Sequence, residues 1–205
     1  MAKREAPIST LQDFLPPNTY DAVFDFLKLY HVHLTVARER KSILGDYRHR
    51  TNAKNHRISV NGNLNAYSFL ITLLHELAHL LAFERFGNSV ASHGKEWKYI
   101  FGQLLDKFIK QDVFPLDIKQ ALLRSLNNPA ATSCADDVLL RVLKNYDAKQ
   151  SALKMVEELP LHSIFKTHDG KIFKKGELAR KRFKCIEIKT GKLYLFSPVY
   201  EVKLC

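Results

Sequence analysis

Ser68-Phe69-Leu70-Ile71-Thr72-Leu73-Leu74-His75-Glu76-Leu77-Ala78-His79-Leu80-Leu81-Ala82-Phe83 is the stretch from which the rest of the chain is read. It is apolar almost all round, which is the pattern of a helix buried in a core, and it runs to Phe86 before Gly87-Asn88 closes it. Asn63 or Asn65 is placed to cap its start. Three polar residues interrupt it. His75 and His79, four apart, project about 40° from each other around a helix and can bind one zinc, while Glu76 points from the neighbouring edge toward an open coordination position. That geometry suits hydrolysis. With nine His and ten Glu in 205 residues, His-Glu-x-x-His arises by accident about 0.02 times. A buried Glu between two His is also costly without a specific partner, which weighs against ordinary core histidines.

Working outward, a catalytic zinc needs a third protein ligand and an open position. In the longer His-Glu-x-x-His-x-x-Gly-x-x-His pattern the Gly and third His fall on Ala82 and Arg85, so that pattern is excluded. His93, in a loop after the metal helix and before a new one, is the favoured third ligand, with Glu84, Glu96 and Asp106 as carboxylate alternatives. Cys134, Cys185 and Cys205 form no Cys-x-x-Cys, which argues against a disulfide scaffold and a thiolate cage. His31, His33, His49, His56, His162 and His168 read as surface or packing residues.

Upstream, a helix is expected from Asn18 or Thr19 to about Tyr30, then a strand over His33 to Ala37, a second strand or a turn around Gly45-Asp46 within Lys41 to Tyr47, and a third strand over His56 to Val60. Downstream, helices are expected over Lys95 to Ile109, Asp117 to Leu126, Ala135 to Tyr146 and Ser151 to Glu158, with a break at Asn127-Asn128-Pro129. From Phe165 onward, Asp169-Gly170 and Thr190-Gly191 separate β-rich runs that read as hairpins. The class is α+β, mostly helical with a short sheet, with a metal-binding domain over residues 1–160 and a small β-rich module over 161–205. Phe69 to Phe83 falls short of the roughly 20 apolar residues a bilayer needs, so no membrane partner is expected. The charged opening Met-Ala-Lys-Arg-Glu-Ala-Pro shows no export signal, and a cytoplasmic location is expected.

The chain carries a net charge of +11. Residues 162–205 hold eleven Lys and Arg against four Asp and Glu, a net +7. A polyanion, nucleic acid first, is therefore an expected partner. Arg180, Lys181, Arg182, Phe183 and Lys184 are the candidate contacts, cations for phosphates and an aromatic ring for stacking on single-stranded DNA. The alternative is a small β core with a solvated Lys face.

His75-Glu-Leu-Ala-His79-Leu-Leu, Phe86-Gly87 and His93-Gly94-Lys95-Glu96-Trp97 together resemble the SprT-like family of zinc metalloproteases. Gly45-Asp46-Tyr47-Arg48 and His56-Arg57-Ile58-Ser59-Val60-Asn61 are similar to the strands that precede the metal helix there. The resemblance spans about residues 20–110. It implies a zincin-like fold, one catalytic zinc on His75, His79 and His93, Glu76 as general base, and a protein substrate associated with DNA. The family commonly ends in a zinc ribbon, and this tail resembles one without its cysteine pairs, since Cys185 and Cys205 alone cannot complete a four-ligand site. Tyr47 would assist the oxyanion if its strand lines the cleft. The rival reading is a catalytically inactive, zinc-containing nucleic-acid-binding or transcription-associated factor, against which the intact Glu76 stands.

Overall fold

The computed structural model describes residues 8–40, 43–126, 136–147 and 153–205. The chain divides into two units, Met1–Tyr146 and Asp147–Cys205. The described residues form five α-helices and two sheets, which makes the class α+β.

In the first unit, α1 (Tyr20–Leu29) leads into β1 (His33–Ala37), β2 (Gly45–Arg48) and β3 (Arg57–Asn61). The sheet order is β1-β3-β2: β1 runs parallel to β3, and β2 lies antiparallel on the other side as an edge strand. The linker between β1 and β2 is fastened to β3. Arg40 Nε donates to Asn61 Oδ1 at 2.7 Å and Nη1 to Ser59 Oγ at 2.9 Å, while Asn61 Nδ2 returns bonds to Arg40 O at 3.1 Å and Ile43 O at 3.0 Å. This reciprocal clamp satisfies a side chain that is buried at 1% exposure and fixes where β2 begins. The expected start of that strand at Lys41 lies outside the described residues, and Gly45 opens it instead.

α2 (Ala66–Phe86) is the core. Asn65 caps it by accepting from Ser68 N at 2.9 Å, and Gly87 ends it at φ +61, a left-handed conformation natural to glycine. Residues Phe69 to Ala78 are buried without interruption, so the helix has no solvent face over three turns. By length and apolar composition α2 could cross a bilayer, longer than the Phe69–Phe83 run suggests, yet here it is the centre of a packed cluster that includes Val60, Trp97, Phe108 and Ile118. α3 (Lys95–Lys110) packs along it, followed by α4 (Leu116–Ser125) and α5 (Asp137–Lys144). Asp136 caps α5 through Val138 N and Leu139 N. The break at Asn127-Asn128-Pro129, Cys134 and the expected helix start at Ala135 lie outside the described residues.

The second unit is a six-stranded sheet in the order β4-β9-β5-β6-β7-β8. Its strands are β4 (Leu153–Met155), β5 (Ile164–Lys166), β6 (Ile172–Ala179), β7 (Arg182–Glu187), β8 (Leu193–Phe196) and β9 (Glu201–Leu204), antiparallel throughout. The helix expected over Ser151 to Glu158 is not formed in its described part. Leu153–Met155 pairs with β9 and Val156–Glu158 makes a single 3-10 turn, because Met155, Val156 and Leu159 are drawn into the sheet's own small core. Tertiary pairing overrides a local helical pattern this short. The second unit thus begins before the expected boundary at 160/161. Lys175 is buried at 4% exposure, and its Nζ donates to Leu159 O at 2.5 Å and Glu157 O at 3.3 Å, tying the 3-10 turn to β6.

Candidate metal centre

α2 presents His75 and His79 one turn apart on one side, and the loop before α3 returns His93 to them. The three Nε2 atoms form a triangle with edges of 3.2 Å (His75 to His79), 3.0 Å (His79 to His93) and 3.3 Å (His93 to His75). A tetrahedral ion with bonds of 2.0–2.1 Å separates its ligand atoms by about 3.3–3.4 Å. The spacing therefore fits zinc. Protons alone do not account for it, because a neutral imidazole carries one N–H and three nitrogens in mutual contact leave lone pairs facing each other. These three histidines could hold a metal ion.

Trp97 floors the cluster. Its ring centroid lies 4.6 Å from those of His75 and His93 and 5.2 Å from that of His79, and it is fully buried on α3. The spacing His93-x-x-x-Trp97 puts the indole one turn beyond the loop histidine, so one aromatic side chain limits the tilt of all three imidazoles. Sequence reading used Trp97 only as part of a motif; its packing role follows from α3 crossing α2.

Burial is the main electrostatic fact. It lowers the pKa of His75 to about 3, with the neighbouring His79 and His93 adding to the effect. It lowers His79 to about 4, again helped by His93, and shifts His93 in the same direction. All three are thus neutral and ready to donate lone pairs at neutral pH. An unfolded His titrates near 6.5, so below that pH the unfolded chain takes up protons that the folded one refuses. The stability of the metal-free chain is expected to be complete above about pH 6.5 and to fall as pH drops toward about 4. Denaturant midpoints of metal-free protein at several pH values check this, and a flat profile that His79→Gln does not alter would contradict it.

Glu76 is 6% exposed and makes no hydrogen bond among the described residues. Burial raises its pKa to about 8, Asp46 adds to the rise and Arg40 opposes it. Gly45 explains how the carboxyl fits: a Cβ there would collide with the Glu76 side chain and with Thr72 Cγ2, so β2 approaches α2 this closely only with glycine. From that contact β2 follows α2. Tyr47 lies with its ring parallel to that of His79, centroids 6.4 Å apart, and His49 stacks on Phe83 at 4.6 Å.

Tyr47 belongs to a chain of polar contacts that sequence reading missed. Its hydroxyl is 2.9 Å from His56 Nδ1, Arg50 N donates to the same Nδ1 at 3.3 Å, and His56 Nε2 is 3.2 Å from Glu84 Oε1. A backbone N–H can only donate, so Nδ1 accepts, Nε2 carries the proton to Glu84, and Tyr47 donates. Burial lowers the His56 pKa and keeps the ring neutral, and burial likewise raises that of Tyr47, keeping its proton. His56, read from sequence as surface or packing, is a 2% exposed bridge. Glu84 is engaged there and with Arg50 at 3.2 Å, which removes it from the ligand set; Asp106 pairs with Lys110 at 2.5 Å, and Glu96 stands in the first turn of α3.

The second unit's candidates separate. Arg180 and Lys181 form the turn between β6 and β7, and Arg182 and Lys184 point outward from β7. Phe183 faces the inner side, packed against the core with Lys175 Nζ 4.1 Å above its ring. A base cannot stack on a face already covered by an ammonium.

No curated protein and no solved structure matches the chain. Among known families, the chain matches the SprT-like family over residues 17–119, a span that contains β1–β3, α2, all three histidines and Trp97. It covers half of the sequence, and the chain belongs to the SprT-like family.

Proposed function

We propose that this protein is a zincin-like, zinc-dependent metalloprotease that hydrolyses peptide bonds through Glu76. The observation that carries the reading is the convergence of three neutral imidazole Nε2 atoms within 3.3 Å beside a buried carboxyl group that has no hydrogen-bond partner among the described residues. A zinc ion held by His75, His79 and His93 would supply Lewis acidity that acidifies water and polarises a scissile carbonyl. The chain's own groups do the rest. The charge of a zinc held there would oppose the burial that raises the Glu76 pKa to about 8 in the metal-free chain and so favour the carboxylate, which accepts a proton from the attacking water and delivers it to the leaving amine. Trp97 holds the imidazoles in orientation. Among the described residues β2 pairs only with β3, so its other edge, running along α2, can take an extended substrate backbone as an added strand.

Tyr47, held beside His79 by His56 and Glu84, would serve a developing oxyanion by exchanging its hydrogen bond to His56 Nδ1 for one to that oxygen. Tyr47→Phe is expected to keep metal content and to lower kcat by about 10²-fold with KM little changed. His56→Ala and Glu84→Gln, which only release Tyr47, should act in the same direction and more weakly. Full kcat in Tyr47→Phe would remove the hydroxyl from the reaction.

Substrates bound to DNA belong to this proposal through the family resemblance. Because Phe183 faces inward, a DNA contact by the tail would rest on Arg180, Lys181 and Arg182 at the hairpin turn and would be salt-sensitive. Digestion of a basic DNA-binding protein by the zinc-loaded chain, with and without single-stranded DNA and with Glu76→Gln as control, tests the reading. Cleavage by the intact protein alone is expected, and its absence under both conditions would leave a zinc-containing binding factor.

A further inference from the structure

The sheet of the second unit carries apolar side chains on both faces. Its inner face carries Phe165, Phe173, Cys185 and Val202 and is covered by the 3-10 turn and the segment before β9. Its outer face carries a second set of aliphatic side chains that no other described residue of this unit covers. Cross-strand register brings Ile164, Lys174, Ile186 and Leu193 into one row over β5, β6, β7 and β8. The next row runs Lys203, Lys166 and Ile172, with Ile188 joined to Ile172 by a backbone bond of 2.9 Å, and Lys184 stands opposite Leu195. The six Ile and Leu side chains are between 41% and 58% exposed. A sheet face of this composition ordinarily has a second layer packed on it.

We propose that this outer face is a docking surface for an acidic amphipathic helix of a partner protein. The charge on the face selects the occupant. The paired outward positions of β5 to β8 hold Lys166, Lys174, Arg182 and Lys184 and no carboxylate; Glu177 sits in the bulge of β6. Among the described residues Lys166, Lys174 and Lys184 have no carboxylate at ion-pair distance, so the face offers several unspent cations between aliphatic side chains. A helix with an aliphatic stripe flanked by Glu or Asp satisfies both at once, burying the Ile and Leu side chains and pairing the ammonium groups at the rim. Single-stranded nucleic acid would use the cations and leave the aliphatic rows without a partner, since the rings that could stack, Phe165, Phe173 and Phe183, face the other way. An anionic membrane is disfavoured by the lack of Trp, Tyr and Phe on the face.

The test pans a display library of random peptides about four helical turns long against the intact chain. Enriched peptides are expected to share carboxylates with aliphatic residues spaced i, i+3 or i+4, and i+7. The affinity of a selected peptide should drop at least about tenfold in the double variant Ile186→Ser, Leu193→Ser. The pair Lys174→Ser, Lys184→Ser should weaken it at low salt and flatten its salt dependence. These side chains are exposed, and thermal melting of each variant is compared with the parent; if the Ile186 and Leu193 pair lowers melting, Ile172→Ser takes its place. Absence of enrichment, enrichment of peptides without carboxylates, or affinity indifferent to both pairs overturns the proposal. So does oligothymidylate that binds through Lys174 and Lys184 while ignoring Ile186 and Leu193, which makes the face a nucleic-acid surface, or displacement of the peptide by anionic vesicles, which makes it a lipid surface.

Discussion

Replacing Glu76 with Gln is expected to lower peptide-bond cleavage by about 10²–10⁴-fold while zinc content and fold are retained. The amide has nearly the same shape as the carboxyl, so it fits the space that Gly45 leaves against α2. The carboxyl is 6% exposed without a hydrogen bond among the described residues, so its removal breaks no network, and exchanging a desolvated acid for a neutral group relieves the burial that raises its pKa to about 8. Melting temperature should therefore hold or rise, which separates this variant from one that merely unfolds. What is lost is the only proton acceptor on α2 next to the histidines, because an amide cannot take a proton from water at neutral pH. Zinc measured by elemental analysis should be unchanged. If cleavage persists in a preparation free of contaminating protease, Glu76 is not the base. If zinc departs with the carboxylate, Glu76 is a ligand, and the three-histidine site must be redrawn.

The metal helix was legible because its signal is doubled: an apolar run without a polar face declares burial, and ligand-type residues inside such a run need a reason to be there. His93 was singled out by its loop position, and among the described residues it lies with His75 and His79 in a group that could hold a metal ion, while Glu84 and Asp106 are paired elsewhere. Long-range partners were not legible. That His56 bridges Tyr47 to Glu84 depends on register between β2 and β3, where Tyr47 pairs with Ile58, and on how far α2 extends beneath them. No spacing in the sequence encodes either. Gly45 shows the same limit: glycine in a strand signals a close approach, but which side chain approaches is set by packing. In the tail, alternation correctly marked strands, yet period two alone does not say which face is inside. The aromatics take the inner face, which turns Phe183 away from solvent and leaves aliphatic residues and lysines outside. Leu153 to Glu158 misled because too few residues remain before β5 for helical periodicity to outweigh pairing with β9.

One zinc per chain is expected, and His75→Ala or His79→Ala should abolish it. Each removal leaves two imidazoles above Trp97, and neither Glu84, held by Arg50 and His56, nor Asp106, held by Lys110, is free to take the lost place. His93→Ala should weaken binding more than Glu84→Ala, Glu96→Ala or Asp106→Ala. A second tight zinc has no donor set among the described residues, since Cys185 is fully buried with its thiol pKa raised by that burial, and Cys205 stands apart at the chain's last position. Zinc held by the folded site would meet only scattered histidines in the unfolded chain, so free metal at about a thousandfold over Kd is expected to add about 4 kcal/mol to the first unit. For a unit near 150 residues that is a melting shift of about 8–16 °C. A chelator should reverse the shift in the parent and in Glu76→Gln alike, and should leave His75→Ala, already metal-free, where it was. Two tightly bound zincs by elemental analysis, or one that survives both His75→Ala and His79→Ala, would place the metal elsewhere; a carboxylate substitution that costs more affinity than His93→Ala would displace His93 as third ligand while leaving the other two in place.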